Sequence, residues 1–349
     1  MSWDHLDESD VRVRPGRGSR PRTKDRPAHG DALIGTVVTV DRGRYGVLMA
    51  AGVGGRKEPE RTLVAMKARE LGRKGIVVGD DVAVVGDTSG HPDALARIVR
   101  VEPRRTVLRR SADDVDPVER VLVANADQLV VVSSLVNPPP RPRLIDRCLV
   151  AAYDAGLDPL LVLTKADLVA ADDFLGQYAP LAVPCVVTSR QPDRSLVGLD
   201  EVRSRLAGRV SVLVGHSGVG KSTLVNSLVP GADRSVGRVN DVTGRGRHTS
   251  TSAVALRLPD DSGWVIDTPG VRSFGLAHVD VARIVTHFPD LEPGTDTCPR
   301  GCTHDEPDCG LDGFVARGGC GPSGAARLDS FRRLLRARSG DPDPEMSAD

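Results

Sequence analysis

The sequence contains no apolar run near the ~20 residues that a membrane-crossing helix needs. Its first residues, Met-Ser-Trp-Asp-His-Leu-Asp-Glu, lack the apolar stretch of a secretory signal. Both absences point away from membrane and export classes, so a soluble, cytoplasmic protein is expected. Glycine (37) and proline (25) are too few for a low-complexity chain. Aromatics are scarce at 3%, yet a 40% hydrophobic share over 349 residues leaves room for a genuine core. At roughly 100–200 residues per domain, two or three domains are expected. Net charge is also absent, since 47 Lys+Arg balance 47 Asp+Glu.

That balance hides local asymmetry. Lysine is rare, with six against 41 arginines, and the basic residues cluster. One run spans Arg12 to Arg26, a second includes Arg97, Arg100, Arg104, Arg105, Arg109 and Arg110, and a third runs from Arg327 to Arg338. Such clusters suit a polyanion, although a solvated face produces them too. Of six cysteines, Cys148 and Cys185 stand apart, while Cys298, Cys302, Cys309 and Cys320 group together. Without a secretion signal, that group reads first as metal-binding rather than disulfide-bonded. Cys148 shares a helical face with Leu144, Ile145, Leu149 and Ala152, and is expected in the core.

Residues 1–30 are polar and basic without a hydrophobic period and read as a disordered arm. Short β-like runs follow at Ile34–Val40, Tyr45–Ala50, Leu63–Ala65, Ile76–Val85 and Leu95–Val101, separated by turn residues. Five short strands suit a small β-barrel over 31–106, an OB-fold, although an SH3-like barrel gives the same pattern. Beyond a basic connector, Leu129–Ser133, Leu160–Leu163, Val186-Val187 and Val210–Val214 read as strands alternating with helices. That alternation predicts an α/β domain with a doubly wound sheet over 115–279. Residues 280–338 hold the cysteine group and a final helix, forming a mainly α third domain; 339–349 reads as a disordered tail.

Three motifs carry the chemistry. Val212-Leu213-Val214 leads into Gly215-His216-Ser217-Gly218-Val219-Gly220-Lys221-Ser222, with Thr223 next, which fits the phosphate-loop pattern G-x-x-x-x-G-K-[ST]. Its backbone N–H groups would converge on phosphate oxygens at a helix N-terminus, Lys221 would reach the β/γ-phosphates, and Ser222 would hold Mg²⁺. His216 is assigned no chemistry of its own, because the backbone makes that contact. Asp267-Thr268-Pro269-Gly270 ends another apolar strand, placing Asp267 to hold Mg²⁺ and the Gly270 N–H to bind the γ-phosphate. Thr164-Lys165-Ala166-Asp167 ends a third strand, where Asp167 can accept both guanine N1–H and N2–H. Adenine offers no such pair, so a buried carboxylate there would favour GTP over ATP. Thr164 occupies the position where GTPases usually carry Asn.

The order of these motifs is unusual, because the base motif precedes the phosphate loop. Loops on one edge of a parallel sheet can build the same site in either order. The arrangement is that of a circularly permuted GTPase.

From about residue 32 to 338 the chain resembles the ribosome small-subunit-dependent GTPase A family. The likeness rests on Ala124-Asn125-Ala126-Asp127-Gln128, on the three motifs, on Gly246-Arg247-His248-Thr249-Ser250-Thr251, on Val271-Arg272 after the Asp-Thr-Pro-Gly motif, and on the cysteine cluster. The resemblance implies an OB-fold that binds RNA, a permuted GTPase and a C-terminal zinc domain, acting on 30S subunits and 16S rRNA late in maturation, with GTP hydrolysis stimulated by the small subunit. A monomer is expected. The cluster reads Cys298-x₃-Cys302-x-His304-x₄-Cys309, each longer gap one residue shorter than the family pattern. Three thiolates and an imidazole make a closed set suited to one structural Zn²⁺, with Cys320 as a spare thiol.

Ras-like enzymes orient the attacking water with a Gln after the aspartate–glycine motif. Here that position is Val271, so slow intrinsic turnover is expected, with His248 as the catalytic candidate that the family also indicates. Thr249 or Thr251 would supply the switch hydroxyl for Mg²⁺. Two other classes compete with this reading: an RNA-binding module whose turnover is incidental, and a metabolic phosphate-loop kinase using Lys221.

Overall fold

A computed structural model describes residues 29–55, 57–72, 75–91, 93–110, 120–231, 253–269, 274–276, 279 and 284–337. The chain opens with β1 (Leu33–Asp41), β2 (Arg44–Met49), β3 (Arg61–Lys67), β4 (Asp81–Gly86) and β5 (Ala96–Val101). Their order is β1-β2-β3-β5-β4, and β4 pairs back onto β1, so the barrel closes. The parallel β3–β5 pair separates this Greek-key order from an antiparallel meander, which decides for the OB-fold. Register shifts at Val37/Thr39 and Ala83/Val84 mark bulges, which let long strands coil around a small barrel. Inward residues Val37, Val47, Met49, Leu63, Val82 and Ile98 fill it together with the ring of Tyr45.

The run Ile76–Val85 is not one strand. Asp80 Oδ2 accepts the Val77 N–H at 2.9 Å, turning the chain so that β4 starts only at Asp81. Gly79 sits in that turn against the Ala124 carbonyl, where a Cβ would lie 2.0 Å from the oxygen, so only glycine fits. The basic connector is also structured: β6 (Val107–Arg110) and β7 (Arg120–Ala124) form an antiparallel pair.

The α/β layer follows. It comprises β8 (Gln128–Ser134), α1 (Pro142–Ala155), β9 (Asp158–Thr164), α2 (Asp172–Tyr178), β10 (Cys185–Val187), the short pair β11 (Ser189–Arg190) and β12 (Leu196–Val197), α3 (Leu199–Leu206), β13 (Arg209–Val214), α4 (Lys221–Leu228), β14 (Val254–Arg257) and β15 (Gly263–Asp267). The sheet runs β10-β9-β8-β13-β15-β14, parallel except for β14. Residues of β8 are buried along its whole length, as a strand covered on both faces requires. One face, through Leu129, Val131, Leu161 and Leu163, packs on α1; the other, through Val130, Val132, Leu160 and Leu213, packs with Val202, Leu206, Leu224 and Leu228 of α3 and α4. The sheet meets the barrel where β14 pairs with β1 at Thr39↔Val254.

At the C-terminal end, α5 (Gly310–Ala316) and α6 (Gly324–Ala337) join the α1 face, with Phe331 and Leu334 fully buried in the same core as Leu149. Cys148 is buried in that core, as its helical face implies. Buried Arg147 fastens the layers by donating to the Phe274 and Ala337 carbonyls, each at 2.6 Å. Among the described residues, no helix is long and apolar enough to cross a membrane.

Candidate functional site

The carboxyl ends of β8, β9, β13 and β15 lie side by side in a parallel sheet, which is where such folds bind ligands. From β13 the chain enters Gly215–Gly220 and then the first turn of α4. Gly220 caps that helix at φ +91, a left-handed conformation that a side chain would strain. Lys221 is nearly buried, with Nζ bonded to the Asp267 carboxylate and the Thr268 carbonyl. The β13–β15 register pairs Leu213 with Asp267, and Thr268 Oγ1 donates to the Leu213 carbonyl at 2.7 Å. Two motifs 46 residues apart thus present an ammonium and a carboxylate to one point, where phosphate and a divalent cation can both be met. Ser222 and Thr223 follow on the same exposed turn. His216 is half-buried, and its Nδ1 lies 3.0 Å from the Ser217 carbonyl oxygen.

The base motif closes the other side. Thr164, at the end of β9, donates from Oγ1 to the Val219 carbonyl at 2.6 Å, tying base loop to phosphate loop. Lys165, at φ +65, crosses the same gap: its Nζ donates to the Gly218 carbonyl at 3.0 Å and to that of Asn137. Ala166 N–H bonds the Thr188 carbonyl, and Asp167 Oδ1 accepts the Arg190 N–H at 2.9 Å. A cavity of about 280 Å³ lies between these loops, with Thr164, Asp167, Thr188, Leu196, Gly220 and Leu224 among its walls. Thr188, Arg190 and Leu196 were not expected from the sequence. Their only signal there is that Thr-Ser-Arg follows the strand Val186-Val187, as Thr-Lys-Ala-Asp follows β9. His248, Thr249, Thr251, Gly270 and Val271 lie outside the described residues, as do 1–28 of the basic arm and the 339–349 tail.

The second site is the cysteine cluster. Nδ1 of His304 stands 3.6 Å from Sγ of Cys298, 3.8 Å from that of Cys302 and 3.9 Å from that of Cys309. Cys298 and Cys309 sulfurs are 3.8 Å apart, and all four donor atoms fall within 4.8 Å of one another. A tetrahedral zinc with bonds of about 2.3 Å to sulfur and 2.0–2.1 Å to nitrogen has edges of about 3.5–3.8 Å, so the donor set fits it. Burial pushes the Cys302 thiol up to about 12, so thiolate ligation depends on the charge of the cation itself. Burial also lowers the His304 pKa, which keeps the imidazole neutral and able to ligate. Arg332 fixes the loop by donating to the His304 carbonyl at 2.9 Å and forking onto Asp312. Cys320 stands apart, donating to the Asp290 carbonyl, and the four-residue set does not include it.

Comparison with known proteins agrees with this geometry. The family model described as RsgA GTPase matches residues 101–277. A protein of Pseudomonas aeruginosa named small ribosomal subunit biogenesis GTPase RsgA is 39% identical over 268 residues, covering 74% of this chain and 75% of its own. One of the same name from Azotobacter vinelandii is 39% identical over 278 residues, covering 77% and 76%. Among solved structures, YjeQ from Thermotoga maritima superposes with a TM-score of 0.61 at 25% identity, covering 89% of this chain and 99% of its own. YloQ, described as a circularly permuted GTPase, gives 0.59 at 21% identity over 91% of this chain and 100% of its own, a likeness of fold. With its motifs permuted on one sheet edge and its sequence matched over three quarters of its length, this chain belongs to the RsgA GTPase family.

Proposed function

We propose that the chain hydrolyses GTP to GDP and phosphate on the small (30S) ribosomal subunit, in contact with 16S rRNA, and assists late maturation of that subunit in the cytoplasm as a monomer. The observation that carries this reading is that Lys221 of the phosphate loop meets Asp267 while Thr164 ties the base loop, which lines a cavity, to that same phosphate loop, in a chain of this family.

In this reading the backbone of Gly215–Ser222 cradles the phosphates, and Lys221 moves its ammonium from Asp267 to the β/γ-phosphate oxygens. Ser222 and Asp267, with Thr249 or Thr251, hold Mg²⁺, which when bound neutralises charge developing on the phosphates. Asp167 accepts the guanine N1 and N2 protons. His248 orients water once the switch is ordered, and Gly270 donates to the γ-phosphate. The 31–106 barrel binds rRNA, 115–279 carries turnover, and 280–338 is held by one zinc on Cys298, Cys302, His304 and Cys309.

The test is GTP turnover by the full chain alone and with purified 30S, 50S or 70S particles. Acceleration by 30S above the other particles is expected. Equal rates with all three would leave an incidental nucleotide-binding module.

A further inference from the structure

Guanine carries N1–H and N2–H donors on the edge that Asp167 addresses, and the acceptors O6 and N7 on the opposite side. Reading N7 requires a donor from the protein. Thr164 ends β9 beside the cavity, and its hydroxyl has a single proton. Oγ1 lies 2.6 Å from the Val219 carbonyl oxygen and 3.4 Å from that of Ser133, and both partners only accept. The proton is therefore committed to the backbone. Thr188, also on the cavity wall and buried, commits its own proton to the Leu163 carbonyl at 3.1 Å. Lys165 spends two of its three ammonium protons on the carbonyls of Gly218 and Asn137. Asn137, Arg190 and Thr223 also line the cavity and are exposed, as Asp167 is.

We propose that Thr164 is a positioning residue that ties the base loop to the phosphate loop and makes no bond to the base, so that this chain recognises guanine through its N1/N2 edge and leaves N7 unread. The proposal rests on the GTP reading above. It follows that selectivity survives while affinity is sacrificed, because N7 is common to guanine and adenine and contributes binding without discrimination. An asparagine at this position would do both tasks, since a carboxamide has two N–H protons, one for Val219 and one for N7.

The experiment is displacement of a fluorescent GDP from the full chain by GDP and by 7-deaza-GDP, which replaces N7 with a carbon. Wild type and T164S should bind the two nucleotides within about twofold of each other, whereas T164N should prefer GDP by about fivefold, the worth of one hydrogen bond. T164V, which keeps shape but loses the proton, should weaken both nucleotides by the same factor of about five to ten. A fivefold preference for GDP in wild type, a ratio near one in T164N, or unchanged affinities in T164V would each overturn the proposal. The ratio is internal to each protein, so partial misfolding of a variant does not disturb it. Failure of wild type to bind any guanine nucleotide would bring down the GTP reading itself; an N7 preference in wild type would remove only this inference.

Discussion

Asp167 is exposed, and one of its oxygens is engaged by the Arg190 N–H, which orients the carboxylate at the cavity wall. That exposure corrects the buried carboxylate expected from the sequence. Purine choice then depends on whether a base offers two adjacent donors. Asp167→Asn replaces an acceptor by a donor and should weaken GTP about 10- to 100-fold, the worth of hydrogen bonds to a charged group. Xanthosine triphosphate, with a carbonyl where guanine has its amine, should gain. Competition between the two nucleotides checks this, and an unchanged preference would remove Asp167 from the base site. The residue types of this site are legible in the sequence because phosphate and base chemistry fix both identity and spacing. What Thr164 holds is not: its partner is Val219, 55 residues away, and only the sheet order brings them together.

Among the elements, those with a complete internal signal were readable and those defined by a distant partner were not. β8, β9 and β13 are continuous apolar runs, and α1 has a clear apolar face. By contrast, β6 and β7 carry Arg109, Arg110 and Arg120, a pattern that reads as a basic linker until their pairing, Arg110↔Arg120 included, is seen. The C-terminal helices depend on partners in the same way. Asp146 of α1 is buried beside Arg333 of α6, whose guanidinium forks onto it at 3.0 and 3.3 Å. Burial raises the Asp146 pKa, against the lowering effect of Arg333. Arg333→Ala should cost about 2–3 kcal/mol, less than a fully buried pair because Arg333 is partly open to water. It should also raise the Asp146 pKa further. A group whose folded pKa lies above its unfolded value binds more protons when folded, so the variant should regain stability as pH falls through that raised pKa. Urea midpoints across pH for both proteins test the sign. In the metal loop, Cys302→Ala should release zinc and leave residues 290–338 open to protease, because metal-binding energy there is also folding energy. A metal-free protein whose C-terminal segment stays protected would contradict that role.

On the scale of the whole molecule, the barrel is built into the GTPase rather than tethered to it. Asn125 joins them through two bonds, accepting the Arg105 N–H and donating to the Gly79 carbonyl, each at 2.8 Å. Fully buried Asp80 holds Arg104 at 2.6 Å on the barrel side of the same seam. Strand β14, which follows the 232–252 segment, pairs with both β15 and β1, so the strand leaving the switch region also touches the barrel. In the proposed reading, a particle bound by the barrel would bear on the strand that follows residues 232–252 in the chain. Ordering of a switch by a partner is an established route to GTPase activation, and Arg245 and Arg247 precede His248 in the sequence with charge suited to RNA phosphate. The most direct measurement is single-turnover phosphate release from GTP, with and without 30S, for wild type and His248→Ala. The account predicts strong acceleration of wild type by 30S and loss of most of it in the variant, while a non-hydrolysable GTP analogue and 30S still bind near normally. Full 30S-stimulated turnover by His248→Ala would contradict it and assign the water to another switch residue or to ribosomal RNA.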